Sequence, residues 1–267
     1  MAADDALVQS VACGEAPPTF RVFGWRPPAV SFGYAQRITR EVDPQKCRQR
    51  GMDIVRRPTG GRAVLHWNEL TYSVVCSADH PLLGGTVQEA YRKISRCLVA
   101  GIKRLGARVQ LETGRQIQPS PRGKPLTSPC FSSTAQYEIT LENRKLIGSA
   151  QRRMNNMLLQ HGSILLGPEH QQIVDLMPAG KEALQARFRQ ELETQTTSLE
   201  QALNRPVSFE ETADALRQGM CETLGIALID TPLTPQEVAL AERLVTQKYG
   251  TAAWNFTDHP KTVRQRL

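Results

Sequence analysis

What this chain lacks narrows the field before any motif is considered. No stretch comes near the roughly 18 uninterrupted apolar residues of a membrane-crossing helix, so no membrane span is expected. The opening MAADDALVQS carries acids where a secretory leader needs bases, and it has no apolar centre. A cytoplasmic protein is therefore expected. Cys13, Cys47, Cys76, Cys97, Cys130 and Cys221 form no C-x-x-C pair and no short Cys–His spacing. That argues against a disulfide framework and predicts no metal site. Neither the G-x-x-x-x-G-K-[ST] order of a phosphate loop nor a G-x-G-x-x-G fingerprint occurs. The net charge of +7 calls for an acidic partner, yet it comes without a long basic run or interleaved aromatics. No nucleic-acid partner is expected.

What is present is globular material, 40% apolar and 22% charged over 267 residues, long enough to bury a real core. Ala2 to Val11 reads as an amphipathic helix, stopped by Gly14 and by Pro17-Pro18. TFRVFGW and AVSFGY read as strands, and Asp43-Pro44 caps a short helix ending at Gly51. DIVRR, AVLH and ELTYSVVCS are further strands, and a long helix runs from Thr86 to Leu105 before Gly106. ARVQLE is the next strand. QYEITLE and KLIGSAQRR flank a turn at Glu142-Asn143-Arg144, and MLLQHGSILLG extends that sheet. Helices follow near His170–Leu176, over Ser208–Leu224 and over Pro235–Lys248. The expected fold class is α/β (α+β): a mixed β-sheet packed with helices over 1–180. A small helical C-terminal section, 181–267, belongs to the same domain or forms an appendage.

Three places invite chemistry. Gly60-Gly61, after a strand, let a ligand lie against the backbone and free N–H groups for an oxyanion, though a tight turn explains them equally. Gly148-Ser149-Ala150 set small side chains inside a strand, which costs stability unless something approaches closely. The segment 113–129 has no apolar period and leads straight to Cys130, alone among the cysteines in an evident loop. The other five lie in helix or strand segments and are expected in the core. Lys145 sits at a hairpin end, where a lysine is ordinarily solvated and its loss leaves the fold intact.

RRPTGGRAVLHWNELTYSV, RKLIGSAQ and LQHGSILL, in this order, resemble the biotin/lipoate protein ligase family over roughly residues 1–180. The Cys-Phe pair upstream of Tyr-Glu-Ile and the lysine is similar to the cysteine-dependent, LipM-type octanoyltransferases of that family. ATP-dependent ligases of the same fold generally lack that cysteine and tend to carry a third glycine where Arg62 stands. Family members usually begin with a strand ahead of the first helix, whereas this sequence starts at the helix. The C-terminal third matches loosely, and no role is carried onto it.

The resemblance implies that residues 1–180 form an acyltransferase catalytic domain. Cys130 would take an octanoyl group from octanoyl-acyl carrier protein as a thioester. It would then pass the group to a lysine of the H protein or of the lipoyl domains of 2-oxoacid dehydrogenases. Lys145 would stabilise the thiolate or oxyanion and, when neutral, accept a proton from the incoming amine. Arg57, Thr59, Gly60, Gly61, Arg62, Val64, His66, Tyr72, Gly148, Ser149, Ala150, His161 and Gly162 would bind substrate. No cofactor and no ATP are expected, since thioester-to-amide transfer runs downhill, and the enzyme is expected to act as a monomer. Alternatives are a lipoyl or octanoyl amidotransferase acting between lipoyl-bearing proteins and an ATP-dependent lipoate-protein ligase. A non-catalytic carrier-binding protein is the alternative from another class.

Overall fold

The computed structural model describes residues 1–112 and 138–257. Its strands are β1 (Thr19–Phe23), β2 (Ala29–Phe32), β3 (Asp53–Arg56), β4 (Val64–His66) and β5 (Glu69–Ser77), then β6 (Gln110–Leu111), β7 (Ile139–Leu141), β8 (Arg144–Met154) and β9 (Met157–Leu165). Six of them make an antiparallel sheet in the order β1-β5-β9-β8-β7-β6. The remaining three form a small sheet, β3-β2-β4, in which β2 pairs parallel with β3 and antiparallel with β4. The mixed pairing expected of the sheet is thus confined to the smaller one. The chain changes sheets between His66 and Glu69 through a tight turn, with Asn68 at φ 48°.

Helices α1 (Ala2–Ala12), α2 (Ile38–Glu41), α3 (Pro44–Gln49) and α4 (Val87–Arg104) precede the hairpin. A 3₁₀ segment, Pro168–Leu176, and helices α5 (Glu182–Gln195), α6 (Leu199–Leu203), α7 (Phe209–Leu224), α8 (Pro235–Leu244) and α9 (Ala252–Phe256) follow it. Thr86 closes a capping box with Glu89 at the start of α4, which ends at Leu105 with Gly106 beyond it at φ 95°. Against this helix packs α7, and the two backbones nearly touch: a Cβ on Gly219 would lie 2.3 Å from Gly101 N. Among the described residues no helix is long and apolar enough to cross a membrane.

Strand periodicity divides the large sheet's two faces. Leu70, Tyr72, Val74 and Cys76 of β5 enter the main core with Leu158 and Ile164 of β9. On the other face Val75, Met157 and Leu159 form a smaller core beneath Leu7 and Val8 of α1. Glu69, Thr71 and Ser73 share that second face, as do His161 and Ser163 by strand alternation.

A distant staple completes the fold. The fully buried Arg56 guanidinium donates to Tyr34 O (2.7 Å) and Gln36 O (2.6 Å) on one side, and to Trp254 O (2.9 Å) and Asn255 O (2.7 Å) on the other. Asn255 Oδ1 accepts from the Arg56 backbone N–H at 2.7 Å. Residues of α9 are thereby tied to the end of β3, where the Gly60-Gly61 loop begins. Cys47, Cys76 and Cys97 are buried as expected, but Cys13 is exposed just past α1 and Cys221 is half-buried.

Candidate functional site

A half-open cavity lies between the 57–64 segment and the paired strands β8 and β9. It is lined by Arg57, Gly61, Val64, His66, Gly148, Ser149, Ala150, His161 and Gly162, all singled out in the sequence, and also by Met1, Thr71 and Ser163. Gly148 and Ala150 sit opposite Ser163 and His161 across the β8–β9 ladder. A Cβ on Gly162 would come within 2.5 Å of Gly148 O and 2.7 Å of the Tyr72 ring. Only a hydrogen fits there.

The Gly60-Gly61 loop is held from inside. Arg57, itself buried, donates through Nη1 to Ser31 O (2.9 Å) and Ser31 Oγ (2.7 Å). Through Nη2 it donates to Gly60 O (3.2 Å) and Arg62 O (2.7 Å). Gly61, at φ 99°, passes so close to β2 that a Cβ on Gly33 would meet its carbonyl at 2.0 Å. Gly60 and Arg62 therefore serve through backbone carbonyls and do not line the cavity.

Each histidine is wired to a carboxylate on one side and a hydroxyl on the other. The Glu69 carboxylate can only accept, so the His66 ring proton sits on Nδ1 toward Glu69 Oε1 at 3.3 Å, and Nε2 accepts from the Ser31 hydroxyl at 2.5 Å, whose oxygen in turn accepts from Arg57. Burial outweighs the pull of Glu69 and lowers the His66 pKa, which keeps the ring neutral. Glu69 also accepts from Thr71 Oγ1 (2.7 Å) and Ser163 Oγ (2.5 Å). Trp25 stacks on His66, centroids 4.4 Å apart, and the two together face a second, open groove with Trp67 and Phe209. His161 Nε2 lies 2.6 Å from Thr59 Oγ1, while its Nδ1 stands 3.8 Å from Asp4 Oδ2. At that separation the contact is electrostatic, and neither atom has a hydrogen-bond partner among the described residues. Burial opposes ionisation of Asp4, but His161 and Arg21 prevail and hold its carboxyl well below the usual range. Tyr72 donates to Ser149 Oγ at 2.7 Å and accepts from Gln160 at 3.0 Å.

Lys145 is not where a hairpin-end lysine was expected. It is 7% exposed, and its Nζ donates to the carboxylate of Glu138, which is 3% exposed. Thr197 N–H donates to Lys145 O at 3.0 Å, and Thr196 bridges to it. A segment fifty residues downstream therefore covers it. Lys145 does not line the cavity: it precedes Gly148 by three residues, about 10 Å along the strand. Cys130 lies outside the described residues. Ser31, Glu69, Thr71, Ser163, Asp4 and Glu138 went unremarked in the sequence. Alternation through ELTYS would have found Glu69, Thr71 and Ser73, three polar residues on one face of an otherwise apolar strand. Among the described residues no cluster of His, Cys, Asp and Glu could hold a metal.

His170, on the 3₁₀ segment, faces Thr196 Oγ1 at 2.8 Å, and burial pushes its pKa down to about 4. A base with a lowered folded pKa binds protons more readily when unfolded, so its contribution is complete above pH 6.5 and lost as pH falls toward 4. The loss amounts to about 3 kcal/mol for a shift of that size. Urea midpoints at pH 7, 5.5 and 4.5 should therefore fall steeply in the wild type and less steeply in His170→Gln.

Comparison with known proteins places this geometry. Residues 1–221 match the model of the lipoyl protein ligase A/B catalytic domain. An octanoyltransferase LipM of Symbiobacterium thermophilum is 44% identical over 260 residues, covering 96% of this chain and 93% of that one. A second, from Kyrpidia tusciae, is 42% identical over the same shares. Among solved structures, a bipartite lipoate protein ligase from Thermoplasma acidophilum, described with its E2 lipoyl domain, superposes with a TM-score of 0.78 at 23% identity, covering 98% of this chain and 92% of that one. A lipoate-protein ligase A bound with ATP reaches 0.74 at 24% identity, covering 96% and 92%. Those likenesses establish the fold.

Proposed function

The chain belongs to the lipoyl protein ligase A/B catalytic domain family, and from that premise we propose that it is a protein octanoyltransferase of lipoate assembly. The observation that carries this most directly is the cavity floor. Gly148 and Ala150, side by side with Ser163 and His161 across the ladder, keep side-chain bulk on this face small, leaving a slot for an extended medium-chain acyl group. Relatives named octanoyltransferases, alike over 96% of the chain, favour transfer over ATP-dependent ligation.

In this scheme the Cys130 thiolate attacks the carbonyl of octanoyl-acyl carrier protein; a new C–S bond forms, the old one breaks, and the carrier leaves as its thiolate. The amine of a lipoyl-domain or H-protein lysine then attacks the enzyme thioester. The C–N bond forms, the C–S bond breaks, and the amine's proton passes to the departing thiolate. Neither step consumes ATP. The net charge of +7 suits acidic carrier domains.

Transfer to a lipoyl domain from octanoyl-acyl carrier protein should persist in apyrase-treated enzyme, with a hydroxylamine-sensitive octanoyl adduct in the intact mass. Greater activity with free octanoate plus ATP would make the protein a ligase. An adduct formed only from an octanoylated H protein would make it an amidotransferase.

A further inference from the structure

We infer that Asp4 is a positioning residue for the acyl slot, which rests on the function proposed above. The charge it holds behind His161 fixes that ring's proton on Nδ1, so that the polar edges of the ring and of Thr59 stay turned into the protein. A slot for an apolar chain has polar side chains in its walls, and an unpaired polar group there costs binding free energy. Those of Arg57, His66, Thr71 and Ser163 are bonded to Ser31, Glu69 and the loop carbonyls. His161 is the wall histidine with one ring nitrogen that has no hydrogen-bond partner among the described residues.

Its Nε2 lies 2.6 Å from Thr59 Oγ1, and its Nδ1 faces Asp4 Oδ2 at 3.8 Å. All three residues are buried, Asp4 and Thr59 completely. Asp4 is held from the far side. Its Oδ1 accepts from Arg21 Nη1 at 3.0 Å and from Ser73 Oγ at 2.9 Å, which leaves Oδ2 toward the ring. Burial outweighs the pull of Asp4 and lowers the His161 pKa, so the ring is neutral and carries one proton. On Nδ1 that proton points at a carboxylate, and Nε2 accepts the Thr59 hydroxyl. On Nε2 it would set the Nδ1 lone pair against the carboxylate, and the Thr59 hydroxyl proton would need another acceptor beside the slot. The separation of 3.8 Å is too long for a hydrogen bond, but a charge at that range acts strongly in a closed interior. Helix α1, whose first turn carries Asp4, is thus part of the acyl site.

Nitrogen NMR spectra of the full chain labelled at histidine, with His161→Gln to assign the ring, read the tautomer directly. Wild type should show a neutral ring protonated on Nδ1. A proton on Nε2, or a charged ring at pH 7, would overturn the inference whether or not any variant folds. Asp4→Asn keeps an oxygen for Arg21 and Ser73 and turns an amide donor to Nδ1. The ring proton should then move to Nε2, and the KM for octanoyl-acyl carrier protein in acyl-enzyme formation should rise about tenfold with kcat little changed. Support of the fold alone would lower the melting temperature and leave tautomer and KM where they were. Asp4→Asn/His161→Gln should be no worse than His161→Gln, because the aspartate acts through the ring. An Nδ1 proton retained in Asp4→Asn, or losses that multiply in the double variant, would overturn the inference. An octanoyl adduct absent from wild type would sink the transferase function and this inference together. An adduct that Asp4→Asn forms with the wild-type KM sinks only the inference.

Discussion

Cys130→Ser should lose the octanoyl adduct entirely and with it nearly all transfer, a fall on the order of 10³-fold or more. The expectation gains force from the other thiols. Burial pushes those of Cys47, Cys76 and Cys97 up to about 11. At neutral pH such thiols hold their protons and make poor nucleophiles. Cys97 moreover spends its S–H on Lys93 O at 3.3 Å within α4. Cys97→Ser should therefore acylate and transfer like wild type. Peptide mapping after incubation with octanoyl-acyl carrier protein reads both results together. A Cys130→Ser enzyme with full activity would end the thioester mechanism.

Lys145→Ala should do two things at once, and the structure changes the balance expected of them. Removal of one electrostatic contact to a transition state typically costs about 10² to 10³ in rate. As a solvated hairpin-end residue, Lys145 would have been dispensable for folding. Buried against Glu138, it is not, because its loss breaks a buried charge contact to a carboxylate that is 3% exposed. Breaking a buried pair from one side costs about 3–5 kcal/mol, so a clear drop in the melting temperature should accompany the loss of rate. Lys145→Arg should regain much of the stability but little of the rate, since a planar fork replaces a slender ammonium in a closed space. The pH dependence of Cys130 alkylation by iodoacetamide separates the effects. If Lys145 supports the thiolate, the Lys145→Ala curve moves to higher pH; superimposable curves with unchanged transfer rates would remove Lys145 from the chemistry.

Local signals carried the sequence far. Asp43 before Pro44 marked a helix start, and Gly106 a helix end, that the structure places there. The hairpin was legible from its turn, where Glu142 and Asn143 adopt φ of 50° and 62°. Helix α5 was not, because only Phe188 and Leu192 of its residues are buried and no side chain caps it. Within the site, the paired glycines and the Gly-Ser-Ala run were visible because small residues inside strands are locally costly. The burial of Lys145 was invisible for the opposite reason. Its cover comes from Thr196 and Thr197, and nothing in the spacing around Lys145 announces a partner so far along the chain. Asp4 beside His161 is another such pairing, made by packing alone.

The Arg56 staple bears on how the protein is made in the cell. Its carbonyl partners at Trp254 and Asn255 are 198 and 199 residues downstream. A ribosome adding about 5–20 residues per second needs roughly 10–40 s to supply them. Throughout that interval Arg56 lacks those acceptors, whereas the bonds of Arg57 to Ser31, Gly60 and Arg62, which hold the neighbouring loop, join residues made within the first 62. The nascent chain thus emerges with the Arg56 guanidinium short of two of its acceptors until helix α9 is made, an interval during which ribosome-associated chaperones have something to hold.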